Sequence, residues 1–185
     1  WGSAYASVEV GTAASFWGTK AGASLAAMSN NSYFNGSAYI ARNTGAAAKY
    51  YQDTGAHYWD NAASVSAGAA QTNVERMRLD ASGNLLVGKN TDALSTAGAV
   101  IRPAGNANLS VSNAASLHLN RLGGQGHMIQ LYNSGTSVGN IGSVGGILYV
   151  SGPLAGGLKF SHYDSTHATI FPVNTTGGIA DNLHD

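Results

Sequence analysis

Tyr33, Phe34, Tyr39, Tyr50, Tyr51, Tyr58 and Trp59 crowd into 27 positions of a 185-residue chain. Sugars present apolar C–H faces that stack on such rings, and their hydroxyls need amides or carboxylates nearby. Asn30, Asn31, Asn35, Gln52, Asp53 and Asn61 lie close in sequence. The pattern predicts a glycan-binding surface drawn from Tyr33, Tyr39, Tyr50, Tyr51, Tyr58, Trp59 and Asp53. The same rings are strand formers and would also fill a core short of Leu and Ile, so both uses stay open at this level.

Hydrolytic chemistry has less to work with. Only nine Asp and Glu are present, and they are scattered. A glycosidase needs two carboxyls about 5 to 10 Å apart. Asp53 and Asp60 flank the aromatic stretch and could pair, as could residues from different chains. A polysaccharide lyase needs a base, an acid and a cation for the uronate; Tyr50, Tyr51, His57, Tyr58 and Arg42 are the right types. Asp80 reads as a turn residue, and Asp181 and Asp185 as terminal loop charges.

The six His residues, at 57, 118, 127, 162, 167 and 184, form no H-E-x-x-H motif and no close pair. His118 alternates with Leu117 and Leu119 and so faces away from them. His162 and His167 share the polar stretch SHYDSTHAT with Asp164. No metal site and no cofactor is predicted. LGGQGHM is followed by no Lys-Ser or Lys-Thr and reads as tight turns rather than a phosphate loop. Arg76, Arg78, Lys89 and Arg102 are offset by Glu75, Asp80 and Asp92, which reads as a solvated face.

The elements that must position these residues are short. Apolar content is 44%, yet 30 of those residues are Ala, and Val, Ile, Leu and Phe number only 36. Gly is abundant at 25, charged residues make up 10%, and the formal net charge is zero. Small side chains bring little apolar area, at about 25 cal/mol per Å², so a thick private core is hard to build. A thin repetitive β-structure, or a core shared between copies, would fit. Zero net charge argues against a nucleic-acid partner. No apolar run is long enough for a membrane span, and no insertion is expected. There is no Cys, so disulfides and thiolate metal sites are excluded. With no starting Met, the chain reads as a fragment or processed product.

Gly, Pro and Asn punctuation forbids long helices. GAAAKYY (45–51) and the Ala-rich stretch 23–31 therefore read as strand or irregular structure. VEVG (8–11) alternates, SAYIARN (37–43) follows an Asn35-Gly36 turn, and KYYQDTGAHYWD (49–60) reads as two short strands. In ERMRLDASGNLLVG (75–88), Met77 and Leu79 point one way and Arg76, Arg78 and Asp80 the other. The chain then turns at Ser82-Gly83, and Leu85 and Val87 resume the pattern. A one-residue slip would put Arg78 inside. KNTDALSTAGAV (89–100) reads as a joint between regions 1–90 and 91–185. Beyond it SLHLNRL, HMIQLYN, VGNIGSV and ILYVSG are each one strand long, separated by glycine turns roughly ten to twelve residues apart. That spacing suits a meander, a β-prism or a β-solenoid.

Several of these phrases, in order, resemble a known family. VEVGTAASFWG, SNNSYFNGSAYIARNTGAAAKYYQDTGAHYWD, ERMRLDASGNLLVG, LHLNRLGGQGHMIQLYNSGTSVGNIGS and FPVNTTGGIADNLHD are similar to the distal region of bacteriophage tail fibre and tailspike proteins. The similarity is to the part preceding an endosialidase-type intramolecular chaperone. It implies a homotrimer, often of intertwined strands, at the tip of a viral tail and in contact with the host surface. The chaperone itself is absent from the sequence, and its proteolytic function is not carried over.

The expected fold is all-β, with short strands, tight Gly turns and β-prism or triple β-helix-like regions in an intertwined homotrimer. The expected function is a structural and host-receptor-binding segment of a virion tail fibre or tailspike, acting outside the cell. Its partners would be its own copies, upstream tail proteins, and host cell-surface polysaccharide or lipopolysaccharide. The alternatives are a polysaccharide depolymerase fragment with sites between chains, and a purely structural spacer.

Overall fold

Alternation and turn chemistry decide the secondary structure. The computed structural model describes residues 4–20, 22, 24–153, 156–162 and 168–174, and no helix occurs among them. The strands fall into two compact units, Trp1–Leu117 and His118–Asp185.

The first unit contains β1 (Tyr5–Val10), β2 (Ala14–Thr19), β3 (Ala26–Asn30), β4 (Ser32–Phe34), β5 (Tyr39–Ala41), β6 (Gly45–Asp53) and β7 (Ala56–Val65). It continues with β8 (Ala70–Gln71), β9 (Asn73–Leu79), β10 (Leu85–Val87), β11 (Gly98–Ile101) and β12 (Ala107–Ser110). A nine-stranded antiparallel sheet runs in the order β1-β2-β3-β6-β7-β9-β10-β11-β12, and β4-β5-β8 form a separate three-stranded sheet. GAAAKYY thus lies in a strand, β6, where Ala47 faces Ala62 and Lys49 faces Asp60. β6 and β7 are longer than the short strands expected and meet at Thr54-Gly55, with φ of 48° and 81°. Two successive positive φ values make the tight hairpin turn whose twist matches the flanking strands.

The small sheet leaves the large one at Asn31, a left-handed corner with φ 54°. Its side-chain amide donates to the carbonyls of Asn43 (3.0 Å) and Ala46 (3.1 Å), and its side-chain oxygen accepts from the Asn43 N–H (2.8 Å). The Asn35-Gly36 turn falls where the sequence predicts it. The Asn35 side-chain oxygen accepts from the Ser37 and Ala38 N–H groups, both at 2.9 Å.

Because every strand alternates, the register sorts the side chains onto two faces. On one lie Trp17, Ala27, Tyr51, Tyr58, Arg78, Leu86 and Val100, opposite one another in succession. Trp17 is 5% exposed, and Leu86 and Val100 are each 1% exposed. Tyr39 and Phe34 of the small sheet pack onto this face. Phe34 and Tyr39 are 5.2 Å apart between centroids, Tyr5 meets Phe34 at 5.3 Å and Trp17 at 5.4 Å, and Trp17 meets Tyr39 at 6.1 Å.

Two expectations are corrected here. Arg78 was expected on a solvated face, yet it is half-buried on the closed face. A bulge between the Trp59–Met77 and Asp60–Glu75 pairs brings Glu75 round to meet it, at 2.5 and 2.6 Å. Met77 and Leu79 still share the opposite face. Residues 89–100 do not separate two regions, because β10 pairs directly with β11 across them. Lys89 is buried, and its ammonium donates to the carbonyls of Ala93 (2.6 Å) and Thr96 (2.8 Å), closing the loop from inside.

The second unit is a five-stranded antiparallel meander, β13 (Gly126–Asn133), β14 (Thr136–Val144), β15 (Ile147–Ser151), β16 (Gly157–His162) and β17 (Ala168–Val173). HMIQLYN, VGNIGSV and ILYVSG all become strands, as expected. SLHLNRL does not: residues 117–122 carry no strand assignment and are exposed. Its alternation finds no neighbouring strand among the described residues to take its backbone hydrogen bonds. SHYDSTHAT from Tyr163 to His167, and FPVNTTGGIADNLHD beyond Asn174, lie outside the described residues.

The closed face holds a buried ion pair. The Lys49 ammonium is 3.1 Å from the Asp60 carboxylate, both side chains being 7% exposed. Asp60→Ala leaves that ammonium buried and unpaired and is expected to cost about 3 to 5 kcal/mol. A urea unfolding midpoint unchanged from the parent would show that the pair contributes nothing.

Candidate functional site

The predicted glycan-binding residues divide between the two faces of the large sheet and the small sheet. Tyr39, Tyr51 and Tyr58 surround the buried Lys49–Asp60 pair. The Lys49 ammonium sits 4.4 Å from the Tyr39 ring centroid and 4.3 Å from that of Tyr51, and donates to the Tyr39 hydroxyl at 3.3 Å. Tyr51 stacks on Tyr58 at 4.5 Å, and Arg78 covers Tyr58 at 4.9 Å. These rings satisfy cations desolvated by the fold. Asp53 lies on the same face, opposite Ala56. Tyr33 is on the small sheet, with Arg42 5.1 Å over its ring.

Tyr50 and Trp59 lie on the opposite, open face, with centroids 5.3 Å apart. The Tyr50 hydroxyl is 2.6 Å from His57 Nδ1 and accepts from the Gln52 amide at 3.0 Å. With Met28, Asn30, Ala48 and Asn61 they line a shallow groove of about 310 Å³.

Register also separates the candidate catalytic sets. Asp60 lies opposite Lys49, and Asp53 opposite Ala56. The two positions are four residues apart along the β6–β7 ladder, about 13 Å at roughly 3.3 Å per residue, outside the span of a glycosidase pair. Of the lyase types, Tyr50 and His57 meet on the open face, while Arg42 pairs with Glu9. Among the described residues no group of three or more His, Asp and Glu is placed to hold a metal ion.

The open face is larger than the aromatic set suggests. Val8, Phe16, Met28, Tyr50, Trp59, Met77, Val87, Ala99 and Leu109 face one another in succession across all nine strands. Val8 is 65% exposed, Phe16 52% and Met28 46%. No register-paired position on this face carries a charge. Glu9, Lys49, Asp53, Asp60, Glu75 and Arg78 all pair on the closed face. A lone sheet in water would show the reverse, with charges outward and apolar side chains inward. Sequence reading found the β9–β10 part of this face but not its extent. The signal was available as apolar residues of one parity in β1, β2 and β3, hidden because the small residues between them leave each strand with few large side chains.

Comparison with protein-family models, with curated proteins and with solved structures finds no match to this chain.

Burial raises the Tyr51 phenol above its ordinary range, and the nearby Asp60 and Glu75 carboxylates reinforce the shift. The folded state therefore holds this proton more tightly than the unfolded chain. Its contribution to stability is complete below about pH 10, the unfolded phenol's value, and is lost as pH rises towards the folded value. Tyr51→Phe is expected to flatten the decline of the unfolding midpoint above that pH. An identical decline in both proteins would place the effect elsewhere.

Proposed function

We propose that the chain is a structural and host-receptor-binding segment of a bacteriophage tail fibre or tailspike. It assembles as a homotrimer whose copies share a core across the open face of the nine-stranded sheet. The observation that carries this reading is the distribution of charge: the Lys49–Asp60 and Glu75–Arg78 pairs lie on the closed face, and no register-paired position of the largely apolar open face carries an Asp, Glu, Lys or Arg. Eight strand spacings of about 4.8 Å and strands of about five residues give this face roughly 650 Å², near the ~800 Å² per partner of a standard interface. A second copy is the fitting occupant. The ridge of Phe16, Met28, Tyr50 and Trp59 is flanked by Ala14, Ala26 and Ala48, so a ridge from one copy has a groove of small residues to enter on another. SLHLNRL, which pairs with no strand among the described residues, suits pairing with another chain. The family-like phrases supply the number three, the tail tip and the virion setting. Upstream tail proteins would be its neighbours there, and host polysaccharide or lipopolysaccharide its ligand.

A second reading rests on the groove at Tyr50 and Trp59. Two adjacent rings with Asn30 and Asn61 at the edge form a platform on which a sugar ring could stack, and the open face would then be a glycan seat.

One pair of variants separates them. Met28→Asp places an unpaired charge where the copies would meet, at a cost of several kcal/mol per chain. Light scattering after size exclusion is expected to read three times the chain mass for the parent and a single chain for Met28→Asp. A monomeric parent, or an undisturbed trimer in the variant, would overturn the shared core. Trp59→Ala with unchanged mass and lost glycan-array signal would favour the second reading.

A further inference from the structure

In the second unit an open cleft of about 590 Å³ is lined by Arg121, Gln125, His127, Gln130 and Tyr149 among others. Its cation differs from the four of the first unit that form ion pairs. Arg42, Arg78 and Arg102 are paired with Glu9, Glu75 and Asp92, and Lys49 with Asp60. Among the described residues of the second unit there is no Asp or Glu at all, so Arg121 has no carboxylate partner there.

The guanidinium is nevertheless held in place. Nε donates to the Gly123 carbonyl at 3.1 Å and Nη1 to the His127 carbonyl at 3.4 Å. The group lies over Gly126, where a side chain would begin 3.4 Å from it. Of the five N–H donors of an arginine, two are used by the backbone. The others are presented by a group already fixed, which lowers the ordering cost of binding.

Beside Met128 and Val144 the lining carries polar, interlinked side chains. The Gln130 amide nitrogen is 3.2 Å from His127 Nδ1, its oxygen accepts from the Tyr132 hydroxyl at 3.1 Å, and the Gln125 side-chain oxygen accepts from the Gly145 N–H. Below them Tyr149 is fully buried, with the His127 ring edge-on at 6.3 Å. Its hydroxyl has no hydrogen-bond partner among the described residues. The hydroxyl is enclosed, so the groups a ligand would meet are those of Arg121, Gln125, His127 and Gln130.

We infer that this cleft seats an oxyanion carried on a polyhydroxylated ligand: a sugar bearing a carboxylate or a phosphate. Arg121 takes the anion in a two-pronged contact, which a point-charge lysine reproduces poorly. The amides of Gln125 and Gln130 and the imidazole of His127 offer donors and acceptors to hydroxyls. The seat deepens the receptor-binding reading and rests on it for the glycan character of its ligand. Oxyanion recognition rests on the cleft alone.

Saturation-transfer NMR on the full 185-residue chain tests it with galacturonate, galactose and inorganic phosphate as probes. Signal is expected for galacturonate and not for galactose. Arg121→Gln is expected to weaken galacturonate binding at least about tenfold, with circular dichroism and native mass unchanged, and Arg121→Lys to fall between. Phosphate that displaces galacturonate would identify a general oxyanion seat, open to sugar phosphates. Phosphate without effect would restrict it to sugar carboxylates. Equal signal for galactose, no signal for galacturonate, or undiminished binding by Arg121→Gln would overturn the assignment. Native mass is read separately, so failure of the shared-core trimer leaves this result standing.

Discussion

The two-residue period of a β-strand, held in step across nine antiparallel strands, is the constraint on which the first unit depends. Once Tyr51 faces Tyr58 and Tyr58 faces Arg78, every side chain of that parity is committed to the closed face. Every side chain of the other parity is committed to the open one. Apart from an irregularity between Gly45 and Ala47, the bulge at Arg76 is where the sheet departs from strict alternation. It allows Glu75 and Arg78, three residues apart, to meet on one face. Without it the Arg78 guanidinium would be half-buried with only the Tyr58 ring beside it.

The closed face is an unusual core. It has few large aliphatic residues and relies on aromatic rings interleaved with cations, each cation answered by a carboxylate. Such a core tolerates little substitution, because a desolvated charge needs its partner and its ring in place. It also explains why aromatic residues cluster in the sequence without forming one surface. Tyr50 and Tyr51 are neighbours in the chain but lie on opposite faces, as do Tyr58 and Trp59. Five of the seven rings belong to the closed face or the small sheet, and Tyr50 and Trp59 are available to whatever meets the open face.

The two units place their polar chemistry differently. In the first, four cations are answered by carboxylates, two of these pairs on the closed face, and the open face is largely apolar. In the second, the described residues offer Arg121 and Lys159 with no carboxylate to answer them. The proposed division follows from that difference, with association assigned to the open face of the first unit and ligand recognition to the cleft of the second.

The sequence by itself determined the all-β class, the hairpins at Asn35-Gly36 and Asp53–Ala56, and the strands of the second unit up to β15. Local rules govern these: alternation sets the strand, and positive-φ residues set the turn. It also determined that the chain is short of large apolar side chains and that Met77, Leu79, Leu85 and Val87 share a face. Only the tertiary structure decided which face is closed. The β4–β5–β8 sheet folds over one side through long-range contacts at Asn31, Trp17 and Tyr39, which no local pattern encodes. Only it decided that Arg78 and Lys89 lie inside, because their partners at Glu75, Ala93 and Thr96 become acceptors through a bulge and a closed loop. The Arg121 cleft belongs with these. Its side chains gather from a loop and three strands, and a strand meander brings them together only when its register is complete.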